Sequence, residues 1–129
     1  MYLKSPFRVY DETLNSMKKN HKSRTVCSID EIPCETARGF TIKTKTSQIN
    51  IIVLKISHKV YVYENRCPHV GTPLDWVPDQ FLDESQSLIQ CATHGALFRP
   101  DNGYCLAGPC KGQSLKTIPF QIRDNNIYI

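Results

Sequence analysis

The sequence has no long apolar run. Its longest, Ile51-Ile52-Val53-Leu54, falls far short of the roughly 18 consecutive apolar residues of a membrane-spanning helix. The first residues, MYLKSPFRVYDETLNSMKK, scatter charges and contain no apolar core ahead of a small-residue cleavage site, so no export signal is expected and a cytoplasmic location is. Beyond residue 25 helical periodicity is missing, and neither an internal repeat nor a low-complexity tract interrupts the chain. These absences leave a non-fibrous, globular chain of 129 residues, the size of one domain.

Charge of one sign is also missing where a nucleic-acid surface would need it. The net charge is +4, but residues 1–25 hold six basic and two acidic side chains, which accounts for all of it. Between Cys67 and Phe98 there is no lysine or arginine, only Asp75, Asp79, Asp83 and Glu84. A phosphate-binding surface wants the opposite sign. Those four acids read either as a docking face for a basic partner or, more simply, as a solvated loop.

What the chain does have is cysteine, six in all. Without an export signal these read as thiols or ligands rather than a disulfide framework. It also has short runs rich in β-branched and aromatic residues: 39–44, 50–56, 59–64, 87–91, 97–98, 118–123 and 127–129. Ser57-His58-Lys59 and Asp124-Asn125-Asn126 read as tight turns between neighbouring runs. Strands at such intervals predict an all-β fold, an antiparallel sandwich or small barrel. Residues 66–102 break the pattern with prolines at 68, 73, 78 and 100 and read as a loop-rich subdomain inserted in the framework. The expected organisation is a basic extension over 1–25 and one domain over 26–129. Within the extension Tyr10, Leu14 and Met17 have a helix-like spacing, although a partly ordered arm is the simpler reading.

The inserted segment carries two mixed pairs, CPHVGTP at 67–73 and CATHG at 91–95. Cys67, His69, Cys91 and His94 make a two-sulfur, two-nitrogen donor set that suits zinc or an iron–sulfur cluster. A zinc finger of the common kind pairs cysteine with cysteine and histidine with histidine; here each loop is mixed, and neither lies on an expected helix. In a binuclear cluster where two histidines replace two cysteines on one iron, each iron takes its own pair of ligands. Two similar loops can then each give a cysteine to one iron and a histidine to the other. A glycine near each histidine lets the backbone turn close to the cluster sulfides.

Cys67-Pro-His69-Val-Gly71-Thr-Pro73-Leu and Cys91-Ala-Thr-His94-Gly95-Ala-Leu-Phe98 resemble the two cluster-binding motifs of Rieske [2Fe–2S] proteins. Gly103-Tyr-Cys-Leu-Ala-Gly108-Pro109-Cys110 is similar to the loop that covers the cluster in that family, and the resemblance extends over about residues 25–129. It implies a Rieske-like antiparallel fold and one [2Fe–2S] cluster, with Cys67 and Cys91 on the inner iron and His69 and His94 on the outer, redox-active one. High-potential members add a cysteine to each loop and a serine after the second histidine–glycine. This chain has neither, and Ala96 stands at the serine's place, which implies a ferredoxin-type member toward the low end of the range, about −150 to +300 mV.

The implied function is a non-catalytic, one-electron carrier. It would be a monomer making transient contacts with a flavin-dependent reductase and a terminal oxygenase or hydroxylase. A small accessory subunit of a nitrite-reductase-like enzyme is the alternative, and a zinc-pinned interaction module a third reading. His21 and His58 read as surface histidines; no 2-His-1-carboxylate set for a mononuclear iron is present. Cys105 and Cys110 admit a redox-active disulfide or a clasp, with two reduced thiols the simpler reading. Cys27 and Cys34 read as buried or half-buried thiols. Trp76 would shield the cluster or pack in the loop core.

Overall fold

Consecutive apolar residues in a strand require cover on both faces, because successive side chains point to opposite sides. Ile51 to Leu54 meets that condition. In the computed structural model, which describes residues 8–11, 24–43, 45–68, 71–75, 77–93 and 95–129, the run lies in one of the two interior strands of a four-stranded sheet. The sheet is ordered β1-β3-β4-β5, with β1 Arg8–Asp11, β3 Thr36–Lys43, β4 Gln48–Ile56 and β5 Lys59–Glu64. Ile51 and Val53 join Phe40, Ile42 and Val62 in one core; Ile52 and Leu54 join Ala37 and Tyr63 in another.

The first core is closed by a three-stranded sheet ordered β2-β10-β9, made of β2 Thr25–Ser28, β9 Gln121–Arg123 and β10 Asn126–Tyr128, which contributes Cys27 and Ile127. The second is closed by the loop-rich segment and its small sheet β6-β7-β8: β6 Ile89–Gln90, β7 Leu97–Phe98 and β8 Cys105–Ala107. The all-β, largely antiparallel architecture agrees with the sequence reading. Cys67 and Cys91 both lie in the second core, on the opposite face of the framework sheet from the β2-β10-β9 sheet.

Both expected hairpin turns form. Ser57 and His58 have φ of 52° and 66°, and Asp124 and Asn125 have 51° and 66°; two successive positive-φ residues match the twist of antiparallel strands.

Three expectations need correction. The helix-like spacing from Tyr10 does not produce a helix there: Arg8–Asp11 pairs in parallel with Phe40–Lys43 and supplies the sheet's one parallel edge, while Leu14, Met17 and His21 lie outside the described residues. The four residues Arg8-Val9-Tyr10-Asp11 show no clear period of their own, so the open edge of β3 decides the conformation. Second, a one-turn 3-10 helix, Ile29–Glu31, follows β2, started by a capping box in which Ser28 Oγ accepts from the Asp30 N–H and Glu31 accepts from the Ser28 N–H. The Ser-x-x-Glu spacing is a sequence signal for that turn. Third, the run at 118–123 contracts to Gln121–Arg123, because Ile118 and Phe120 pack against the first core from irregular backbone. Among the described residues no helix is long and apolar enough to cross a membrane.

Candidate metal centre

Cys67 and Cys91 stand at the start of two turns with the same backbone wiring. The Cys67 N–H donates to the Thr72 carbonyl at 2.8 Å, and the Gly71 N–H to the Cys67 carbonyl at 2.7 Å. In the second loop the Cys91 N–H donates to the Ala96 carbonyl at 2.9 Å, and the Gly95 N–H to the Cys91 carbonyl at 2.8 Å. Both turns close five residues on, and both pass through a glycine with positive φ, 79° at Gly71 and 72° at Gly95, a conformation glycine adopts without steric cost. The loops therefore share these two hydrogen bonds and a positive-φ glycine, although the histidine stands two residues after the cysteine in one and three in the other. His69 and His94 lie outside the described residues, as does Trp76.

Both cysteines are fully buried, which suits ligands of a group that must be held away from water. The loops are tied together directly, the Ala92 N–H donating to the Leu74 carbonyl at 2.8 Å. Thr72 Oγ1 is buried and has no hydrogen-bond partner among the described residues. A buried hydroxyl left unpaired costs roughly 1–3 kcal/mol, and here it sits one residue past Gly71, beside the Cys67 turn. A sulfide-bearing cluster offers an acceptor of the kind this donor needs. The soft donors, the duplicate turns and the orphaned hydroxyl all fit such a group.

The first loop is anchored by a polar chain that uses two of the acids read from the sequence as a docking face or a solvated loop. Asn65 Oδ1 accepts from the Leu74 N–H at 2.7 Å, and Asn65 Nδ2 donates to Asp75 Oδ1 at 3.1 Å. Asp75 Oδ2 takes the Asp79 N–H at 3.2 Å, and Asp79 Oδ1 takes the Gly39 N–H of β3 at 2.7 Å. Asn65 and Asp75 are buried. So the acidic run is not one solvated face: Asp75 and Asp79 brace the loop against the framework. Asp83 instead closes its own turn, accepting from Ser85 Oγ and the Ser87 and Leu88 amides, which hold its carboxyl below the usual range against a desolvation push upward. Arg66 is exposed, with its guanidinium across Gly71, and sets one positive charge at the edge of the first loop.

The third segment of the site packs on the second loop. A Cβ on Gly108 would come within 2.7 Å of Ala96 Cα, so glycine is what allows the approach. Cys105 pairs with Phe98 in the small sheet, and Cys110 Sγ lies 3.2 Å from Cys105 Sγ. None of the six cysteines is in a disulfide. Burial pushes the Cys110 thiol up to about 12, with Cys105 and then Cys67 adding to the rise. Elsewhere the fold brings half-buried Cys34 to exposed His58, Sγ to Nδ1 at 3.3 Å. No sequence signal foretold that contact, since it depends on the β4–β5 turn reaching back to the loop ahead of β3.

A family model for the Rieske [2Fe-2S] domain matches residues 22–119. The chain is 26% identical over 104 residues to the 3-phenylpropionate/cinnamic acid dioxygenase ferredoxin subunit of Photorhabdus laumondii subsp. laumondii, covering 81% of this chain and 90% of that one. Its fold matches the ferredoxin of carbazole 1,9a-dioxygenase from Nocardioides aromaticivorans IC177 with a TM-score of 0.65 at 19% identity, covering 84% of this chain and 96% of that one. It also superposes on the terminal oxygenase of carbazole 1,9a-dioxygenase from Novosphingobium sp. KA1, TM-score 0.65 at 22% identity over 82% of this chain; there it spans only 28% of the other chain's length.

Proposed function

The chain belongs to the Rieske [2Fe-2S] domain family, and from that membership we propose that Cys67, His69, Cys91 and His94 hold its [2Fe–2S] cluster and that the protein passes single electrons to an oxygenase. The observation that carries the ligand assignment is the repeated turn: two buried cysteines at equivalent positions of two loops wired alike. When bound, the cluster supplies a one-electron couple. The chain's own part is to hold and shield it. Gly71 and Gly95 let each loop curl, Asn65 and Asp75 fix the first loop, and Gly108 seats the cover on Ala96.

The carrier role follows the ferredoxin subunit it resembles over most of both chains, and an oxygenase is accordingly the acceptor. A flavin-dependent reductase is the proposed donor and the cytoplasm the proposed compartment. Encounters of this class bury little surface, under about 1,200 Å², which a chain of this size can provide. The basic extension over residues 1–25 and the Rieske-like domain over 26–129 remain the proposed division. Without loop cysteines and with Ala96 after Gly95, the potential belongs toward the low end of the Rieske range.

Absorption and low-temperature EPR of the dithionite-reduced protein test this reading. A coloured protein with the reduced mixed-ligand cluster signal is expected, and Cys67→Ser, Cys91→Ser, His69→Ala and His94→Ala should each lose or alter it. A colourless zinc protein, or unchanged spectra in those variants, would defeat the assignment. Stable co-purification with a large sirohaem-containing chain would favour the accessory-subunit alternative over the free carrier.

A further inference from the structure

We propose that Cys105 and Cys110 form a thiol–disulfide couple built into the cover of the metal centre, oxidised by low-molecular-weight disulfides. The two sulfurs are 3.2 Å apart; both residues are fully buried, so exchange with an external disulfide waits on local opening of the cover and equilibration is slow. Reaching the disulfide bond length of about 2.05 Å from 3.2 Å needs a closure of about 1.2 Å, within the range of side-chain rotation.

The backbone between them is fixed for that purpose at both ends. The Cys105 N–H donates to the Gln113 carbonyl at 2.8 Å, the Gln113 N–H to the Cys110 carbonyl at 2.9 Å, and the Lys111 N–H to the Gly108 carbonyl at 3.1 Å. Cys105 Sγ also donates to the Ala107 carbonyl at 3.1 Å, a bond that the reduced form keeps and the disulfide gives up. Two thiols fixed in contact lose little further freedom on bonding, which favours the disulfide over adducts with external thiols.

In the reaction the two S–H bonds break and one S–S bond forms. Two electrons and two protons pass to the external disulfide R–S–S–R, which leaves as two R–SH. Cys67 also lies against Cys110 and would compete as a partner. On the ligand assignment proposed above it is engaged by iron, so the product in the loaded protein is Cys105–Cys110 alone.

The test equilibrates cluster-loaded protein in glutathione buffers of stepped potential, then quenches with acid, alkylates and cleaves before aspartate. The fragment 101–123 contains Cys105 and Cys110 and no other cysteine. It should pass from doubly alkylated to unalkylated in one step, losing two hydrogens, with the disulfide-to-dithiol ratio rising tenfold for each ~30 mV of a two-electron couple. Cys105→Ser and Cys110→Ser should each abolish that species. A fragment that stays doubly alkylated in the most oxidising buffer, or that carries only glutathione adducts, overturns the proposal. The fragment's mass contains no cluster signal, whereas the visible spectrum of the same samples reports the ligand assignment, so the two can fail separately.

Discussion

Two side chains near the centre carry consequences that a motif alone does not specify. Thr72 Oγ1 is buried without a partner among the described residues. If its hydroxyl donates to cluster sulfur it stabilises the more negative, reduced state, because hydrogen bonds to the sulfurs raise the potential. Thr72→Val should therefore lower the midpoint potential in a redox titration, and Thr72→Ser should keep it; equal potentials in all three proteins would remove Thr72 from the site. Asn65 answers a different need, pairing the Leu74 N–H and the Asp75 carboxylate in a buried place. Asn65→Ala orphans both, and the expected loss is about 2–3 kcal/mol in urea denaturation followed by circular dichroism. The proposed ligands stand out in the sequence through their types and spacing, and the structure places the two cysteines in one core. Asn65 does not stand out, since an asparagine between a strand and a cysteine looks like any turn residue until its partners are in place.

At the scale of elements, the long strands and the short β6, β7 and β10 were legible, whereas β1, β2 and β8 were not. β4 and β5 announce themselves through apolar runs and a turn, and their pairing from Ile51 with Glu64 to Ile56 with Lys59 follows from the hairpin. β2 and β8 hold only four and three residues, too few for alternation to stand out; β2 exists because β10 pairs with it from about a hundred residues on, and β8 because β7 just before it supplies a partner. Likewise Arg8–Asp11 becomes a strand through the free edge of β3, which no local propensity encodes. The β9–β10 turn offers a test of turn chemistry. Asn125 has φ of 66° and its side chain donates to Asp30 at 2.9 Å. Asn125→Val forces a β-branched residue into that conformation and removes the contact, so a loss of about 1–3 kcal/mol is expected. Asn125→Gly keeps the conformation and should cost less than Asn125→Val in thermal unfolding.

For the whole molecule, the joint that matters is between the framework sheet and the inserted segment, and Tyr63 spans it. Its backbone lies in β5 and bridges to Thr117, its ring packs where a Cβ on Gly103 would come within 2.9 Å, and its hydroxyl donates to the Pro100 carbonyl at 2.6 Å. Burial raises its pKa above the ordinary tyrosine value, and Asp101 and Tyr61 add to the rise. The folded chain thus keeps this proton at a pH where the unfolded chain gives it up. Where the folded state binds more protons, stability falls as pH rises. The contribution is complete below about pH 10, the unfolded tyrosine value, and is lost as pH climbs toward the higher folded value. Tyr63→Phe should cost about 1 kcal/mol near neutrality through the missing hydrogen bond. Above pH 10 it should lose stability less steeply than the parent, by up to about 1.4 kcal/mol per pH unit for one proton. Urea midpoints of both proteins from pH 8 to 11 would read the difference. Parallel curves across that range would mean that the Tyr63 proton does not hold the inserted segment to the sheet.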